Sequence, residues 1–231
     1  MKKIRQRLFL FIIGLIFCLI ASIWLHLPSL AFNRERHSSS LAQAYNDYWQ
    51  GKYQSAISIW EQLLKKEQSR ATQAEIHSYL GISYRQVQEL GKSIQHFKEA
   101  IKIYREFSQK TELLAEVFTE IARTYNELGQ PDRAVPPLKE AIAMTKDNLA
   151  LKALAYRTLG TAYWLEGDLE KAIVACETSR NLATILGQPA AIVAALNDFT
   201  NVLRSRRKQY LQQAEDAQAE GTDVESDRYI F

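Results

Sequence analysis

The chain is poor in the residues that build stapled miniature folds, loop-rich sheets and metal centres. Two cysteines in 231 residues, Cys18 and Cys176, cannot make a disulfide framework. Cys18 lies in an apolar leader and Cys176 in an apolar stripe, so both read as small hydrophobes. Nine glycines and five prolines leave few chain breaks, which disfavours a many-stranded β fold and suits long helices. There is no glycine-rich phosphate loop, no Cys-x2-Cys pair and no His-Glu-x2-His. The four histidines, at 26, 37, 77 and 96, do not cluster at ligand spacings. With no nucleophile, base and acid in a recognisable pattern, the sequence predicts a chain that is not an enzyme. It also predicts no cofactor, no metal and no small-molecule substrate.

Charge of one sign is scarce as well. The formal net charge is +3, but residues 1 to 31 hold four bases (Lys2, Lys3, Arg5, Arg7) and no acid, leaving 25 bases against 26 acids in the remainder. A nearly neutral body argues against nucleic acid as a partner.

The leader has the one long apolar run. From Leu8 to Leu27 no Lys, Arg, Asp or Glu interrupts the chain, and as a helix that stretch spans a hydrocarbon core of about 30 Å. Four bases precede it, so the positive-inside bias puts the N-terminus in the cytoplasm and the rest across the membrane, on the periplasmic or lumenal side. Ser29-Leu30-Ala31 offers a competing reading, a secretory signal cleaved after Ala31 with the protein exported. Residues 1–31 are thus an anchor or signal segment and 32–39 a linker.

Beyond the linker the chain repeats itself. "YLGISYRQVQELGKSI", "EIARTYNELGQPDRAV" and "LGTAYWLEGDLEKAI" align, and "AYNDYWQGKYQSAI" precedes them. With Ala56, Ser93, Ala134 and Ala172 equivalent, the steps are 37, 41 and 38 residues. His77, Leu80, Gly81 and Tyr84 recur as Phe118, Ile121, Ala122 and Tyr125, then as Tyr156, Leu159, Gly160 and Tyr163, an i, i+3, i+4, i+7 stripe. Gly or Ala in the stripe lets a second backbone approach, Gly129 and Gly167 fall where a turn is needed, and a second helix comes next with Trp60, Phe97, Leu138 or Cys176 at the crossing.

This pattern resembles the tetratricopeptide repeat, with its Trp-x2-Leu-Gly-x2-Tyr first helix and Ala-x3-Phe second helix. The long period and "AVPPL" resemble the kinesin-light-chain type. The resemblance implies an all-α, right-handed superhelical solenoid of antiparallel helix pairs, with four units over residues 40–187. A further first helix is carried by Leu196, Phe199, Thr200 and Leu203. Residues 188–220 then form a capping, solvating helix, and 221–231 a flexible tail. The first unit departs from the pattern at Asp47, where a Tyr is expected, and Pro136 and Pro137 are expected in or just after the first turn of their helix.

In such arrays the first helices line the concave groove through residues one, four and five places beyond the stripe's Gly or Ala. Carried over, this gives Tyr45, Tyr48 and Trp49; Ile82, Arg85 and Gln86; Arg123, Asn126 and Glu127; and Thr161, Trp164 and Leu165, with Arg157 beside them. The implied groove is aromatic at its ends and basic in the middle, suited to a protein or peptide partner with acidic groups. The carboxylate clamp of heat-shock adaptors is not matched, because residues 40–49 offer neither its Lys nor its Asn at the equivalent sites. The resemblance and the leader together suggest a membrane-tethered scaffold that aids assembly of a membrane or envelope complex. The alternative is an exported regulatory subunit of a separately encoded enzyme.

Overall fold

The computed structural model describes residues 39–107 and 111–219, and every described element is helical. The leader, the linker up to residue 38 and the tail from residue 220 lie outside the described residues, so the anchor and signal readings rest on sequence alone. Among the described residues no helix is long and apolar enough to cross a membrane.

The described chain divides into two compact units, one ending at Lys66 and one beginning at Glu67. The first holds α1 (residues 39–49) and α2 (Tyr53–Leu64). Ala44, Ala56, Ile57 and Trp60 are buried, and the rings of Tyr45 and Tyr48 lie 6.0 and 5.8 Å from that of Trp60.

The second unit runs α3 (Arg70–Gln86), α4 (Leu90–Tyr104), α5 (Thr111–Glu127), α6 (Pro131–Met144), α7 (Leu149–Glu166), α8 (Leu169–Ile185) and α9 (Pro189–Ala219). Each pair α3–α4, α5–α6 and α7–α8 packs as an antiparallel hairpin, and α3, α5, α7 and α9 also touch in series to form one layer. Together they give the all-helical solenoid that the stripe implies. Small residues set the crossings. A Cβ on Gly81 would lie 2.6 Å from the Phe97 ring, and one on Gly160 2.7 Å from Cys176 Sγ. In the middle pair Ala122 takes the glycine's place opposite the smaller Leu138, both fully buried.

The turns inside the pairs share one geometry. Glu89, Gln130 and Asp168 each donate their backbone N–H to the carbonyl of Tyr84, Tyr125 and Tyr163, and Lys52 does the same to Asp47. This 6→1 bond needs a left-handed residue at the turn. Gly51, Gly129 and Gly167 supply it at φ of 73, 70 and 83°, and Gln88 supplies it at 63° without being glycine.

The departure at Asp47 has a physical account. Eight residues after the turn tyrosine a cation lies over its ring: Lys92 over Tyr84, Arg133 over Tyr125 and Lys171 over Tyr163, at 5.1, 4.6 and 5.5 Å. In the first pair the same two positions are Asp47 and Ser55, and the Ser55 hydroxyl donates to the Asp47 carboxylate at 2.6 Å. A cation–π contact has been exchanged for a hydrogen bond in the same place.

Pro136 and Pro137 lie in the second turn of α6, whose first turn begins at Pro131. Pro136 is exposed and Pro137 half-buried. The carbonyls of Asp132 and Arg133, which lose their helical donors to these rings, belong to exposed residues that water can reach.

Candidate functional site

A layer made of first helices is the natural binding surface of such an array, because each contributes the side chains just beyond its stripe. In the second unit these are Ile82, Arg85 and Gln86 on α3; Arg123, Asn126 and Glu127 on α5; Arg157, Thr161, Trp164 and Leu165 on α7. Tyr45, Tyr48 and Trp49 belong to the first unit. There Tyr45 and Tyr48 pack around Trp60, while Trp49 is 75% exposed with its ring 5.0 Å from that of Tyr48.

The arginines are where sequence and structure part. Arg85 is only 5% exposed, and its two terminal nitrogens donate to Glu120 at 2.6 Å and Glu127 at 2.9 Å. Arg123 donates to the other oxygen of Glu120 at 2.9 Å. Arg157 pairs with Asp198 of α9 at 3.3 Å. The expectation of solvent-facing arginines is therefore corrected for Arg85: it is a buried tie between α3 and α5, because two carboxylates on the next first helix close over it. Arg123 and Arg157 keep about a third of their side chains exposed, at 34 and 33%.

Carboxylates respond to the same crowding. Burial raises the Glu116 carboxyl above its ordinary value, helped by the charges of Glu112 and Glu120. Burial likewise raises Asp198, while Arg157 opposes it.

Beyond the arginines, Asn126 is closed off and Trp164 is open. The Asn126 amide donates to the Thr158 carbonyl at 3.1 Å, and its Oδ1 is buried without a hydrogen-bond partner. Trp164 keeps 38% of its surface exposed, and its indole N–H donates to Ser205 of α9 at 2.9 Å. Leu165 beside it is also exposed. The face thus offers a fixed aromatic, an apolar neighbour and two partly exposed guanidiniums.

His77 and His96, unremarkable in sequence, come together. Their Nδ1 atoms are 2.9 Å apart, and the His96 ring stacks on Tyr84 at 5.3 Å with 12° between planes. Cys176 is fully buried, and burial pushes its thiol up to about 11, which removes it from thiolate chemistry at neutral pH.

Tetratricopeptide-repeat family models match residues 72–147 in one case and residues 24–107 and 119–179 in another. No curated protein matches the chain in sequence. Among solved structures, BtubC (BKLC) from P. vanneervenii is similar at 19% identity and a TM-score of 0.64, over 81% of each chain. A putative kinesin light chain of Podosopora anserina with nearly identical TPR-like repeats is similar at 18% identity and 0.61, over 82% of this chain and 98% of that one. A Rap protein complexed with competence and sporulation factor gives 16% and 0.63 over 76% of this chain, which spans 52% of the Rap chain.

Proposed function

Because this chain belongs to the tetratricopeptide-repeat family, we propose that it is a membrane-tethered scaffold whose first-helix layer holds a segment of another protein. The observation that carries the reading is Trp164, a large aromatic left partly open on that layer and fixed by its bond to Ser205. Anchors of this kind contribute most of the energy of a protein interface. A Rap protein, similar in fold, has been solved in complex with competence and sporulation factor.

The preference for acidic partners narrows to Arg123 and Arg157, because Arg85 is already neutralised. Tethering is supported by the uncharged run from Leu8 to Leu27 behind four bases. Such a scaffold would gather partners at one membrane face and so aid assembly of a membrane or envelope complex.

A photo-crosslinking amino acid placed at Thr161, on the layer, and at Glu177, on the outer face of α8, tests the binding surface in the detergent-solubilised chain. A partner should be captured from position 161 and lost with Trp164→Ala. Capture from 177 alone would move the site to the second helices. Carbonate extraction tests the tether, and release of the chain into the supernatant would end that part of the reading.

A further inference from the structure

The three helix pairs of the second unit share one stripe, but they do not fill the space beside it alike. Three places after Ser93, Ala134 and Ala172 their second helices carry His96, Pro137 and Ala175. In α3–α4 the His96 ring stacks on Tyr84 and reaches His77. In α5–α6 the half-buried Pro137 ring holds that place, and Arg105 lies over the Phe118 ring at 5.6 Å while pairing with Glu140.

The pair α7–α8 has neither arrangement. Ala175 stops at its Cβ, and the counterparts of Arg105 and Glu140 are Lys146 and Thr178, which cannot form an ion pair. What is left is a hollow of about 380 Å³, lined by Tyr156, Leu159 and Tyr163 of α7 and by Lys171, Val174 and Ala175 of α8. Val174 at its edge is 63% exposed. The lining residues of α7 lie about a third of a turn round the helix from Arg157, Thr161 and Trp164, so the hollow is separate from the first-helix layer.

The chemistry of the walls selects the occupant. The charges at the rim are already answered within the chain, Lys171 by Asp168 and Glu170 by Arg206, so a charged occupant would find no free counter-charge. Two tyrosine rings favour a flat apolar group, stacked or edge-on, at about 4.5–7 Å between centroids. Lys171 over Tyr163 does not bar it, since Tyr84 takes both Lys92 and the His96 ring. Sites for free small molecules orient them with placed polar groups. With its charged groups paired off, this hollow suits a ring that is oriented by the chain carrying it.

We propose that the hollow between α7 and α8 takes a neutral aromatic side chain of a partner protein, its ring lying against Tyr163 and Tyr156 where α3–α4 has His96. The site acts whatever the first-helix layer binds.

The test labels the full chain in detergent with 3-fluorotyrosine and titrates it with N-acetyl-tyrosinamide, a neutral aromatic probe, and with N-acetyl-leucinamide. The fluorine signals of Tyr156 and Tyr163, identified by their loss in Tyr156→Phe and Tyr163→Phe, should move with the aromatic probe at concentrations at least about tenfold lower than with the aliphatic one. Ala175→His, which restores the ring of α3–α4, should abolish the response. Val174→Trp should do so too, from an exposed position where folding is not at stake. Equal responses to the two probes, or a response that survives in folded Val174→Trp, would overturn the proposal. Binding of the free aromatic probe tighter than about 10 μM would make the hollow a small-molecule site and overturn the partner's part in it. In cells, a photo-crosslinking amino acid at Thr178, one turn on from Val174, should link to partner peptides at or beside an aromatic residue. That link should persist in Trp164→Ala and vanish in Val174→Trp, and links with no aromatic preference would count against the site.

Discussion

Gln88 holds a left-handed backbone that its three counterparts leave to glycine. A side chain there is crowded, and the cost is on the order of 1 kcal/mol. Gln88→Gly should therefore stabilise the chain by about 0.5 kcal/mol, after glycine's greater freedom in the unfolded state is deducted. A rise in the urea midpoint with unchanged slope checks it. Nothing in the local sequence marks Gln88 as a turn residue; only alignment with Gly129 and Gly167 does. The crossings were easier to read, because a small residue opposite a large one is written into each unit. Gly81→Ala should overpack against Phe97 and cost about 1–3 kcal/mol. Adding Phe97→Leu recreates the Ala122–Leu138 pairing and should recover most of that loss in the same denaturation assay.

Helix pairs show what periodicity can and cannot report. The stripes of α3, α5 and α7 were legible because each is a local pattern of one helix. The cation eight residues after the turn tyrosine was equally local, and with it Asp47–Ser55 would have read as a replacement. The histidine pair was not legible, since it depends on how α3 lies on α4. With Nδ1 atoms 2.9 Å apart, one ring donates and the other accepts, and a second proton would set two N–H groups face to face. Burial lowers His77 below its ordinary 6.5, with Arg70 adding to the fall and Glu99 opposing it. The unfolded chain thus takes up this proton more readily, and stability present above about pH 6.5 is lost as the medium is acidified through that value. Between about pH 7.5 and 5.5 the melting temperature should fall about 3 °C further than in His77→Phe, which borrows the Phe118 solution of the next pair.

Over the whole array, the site was legible as a set of positions but not as a set of charges. Arg85 lies 35 residues from Glu120 and 42 from Glu127, a separation that no sequence window spans. Its replacement should damage the fold rather than a docking surface alone. Arg85→Ala should cost about 2 kcal/mol, less than a fully buried pair because Glu127 is partly exposed. It should also broaden thermal unfolding as α3–α4 uncouples from its neighbours, whereas Arg123→Ala with Arg157→Ala should leave the melting curve nearly unchanged and reduce only salt-sensitive binding. The same tie has a mechanical consequence. Arg85 joins α3 to α5, Asn126 joins α5 to α7, and Arg157 and Trp164 join α7 to α9, all on one side. On the other side Arg105 reaches Glu140 only through two well-exposed side chains. Across α3 to α9 the ties between neighbouring pairs thus run along the first-helix layer, so load along the array should be relieved first by the second helices spreading.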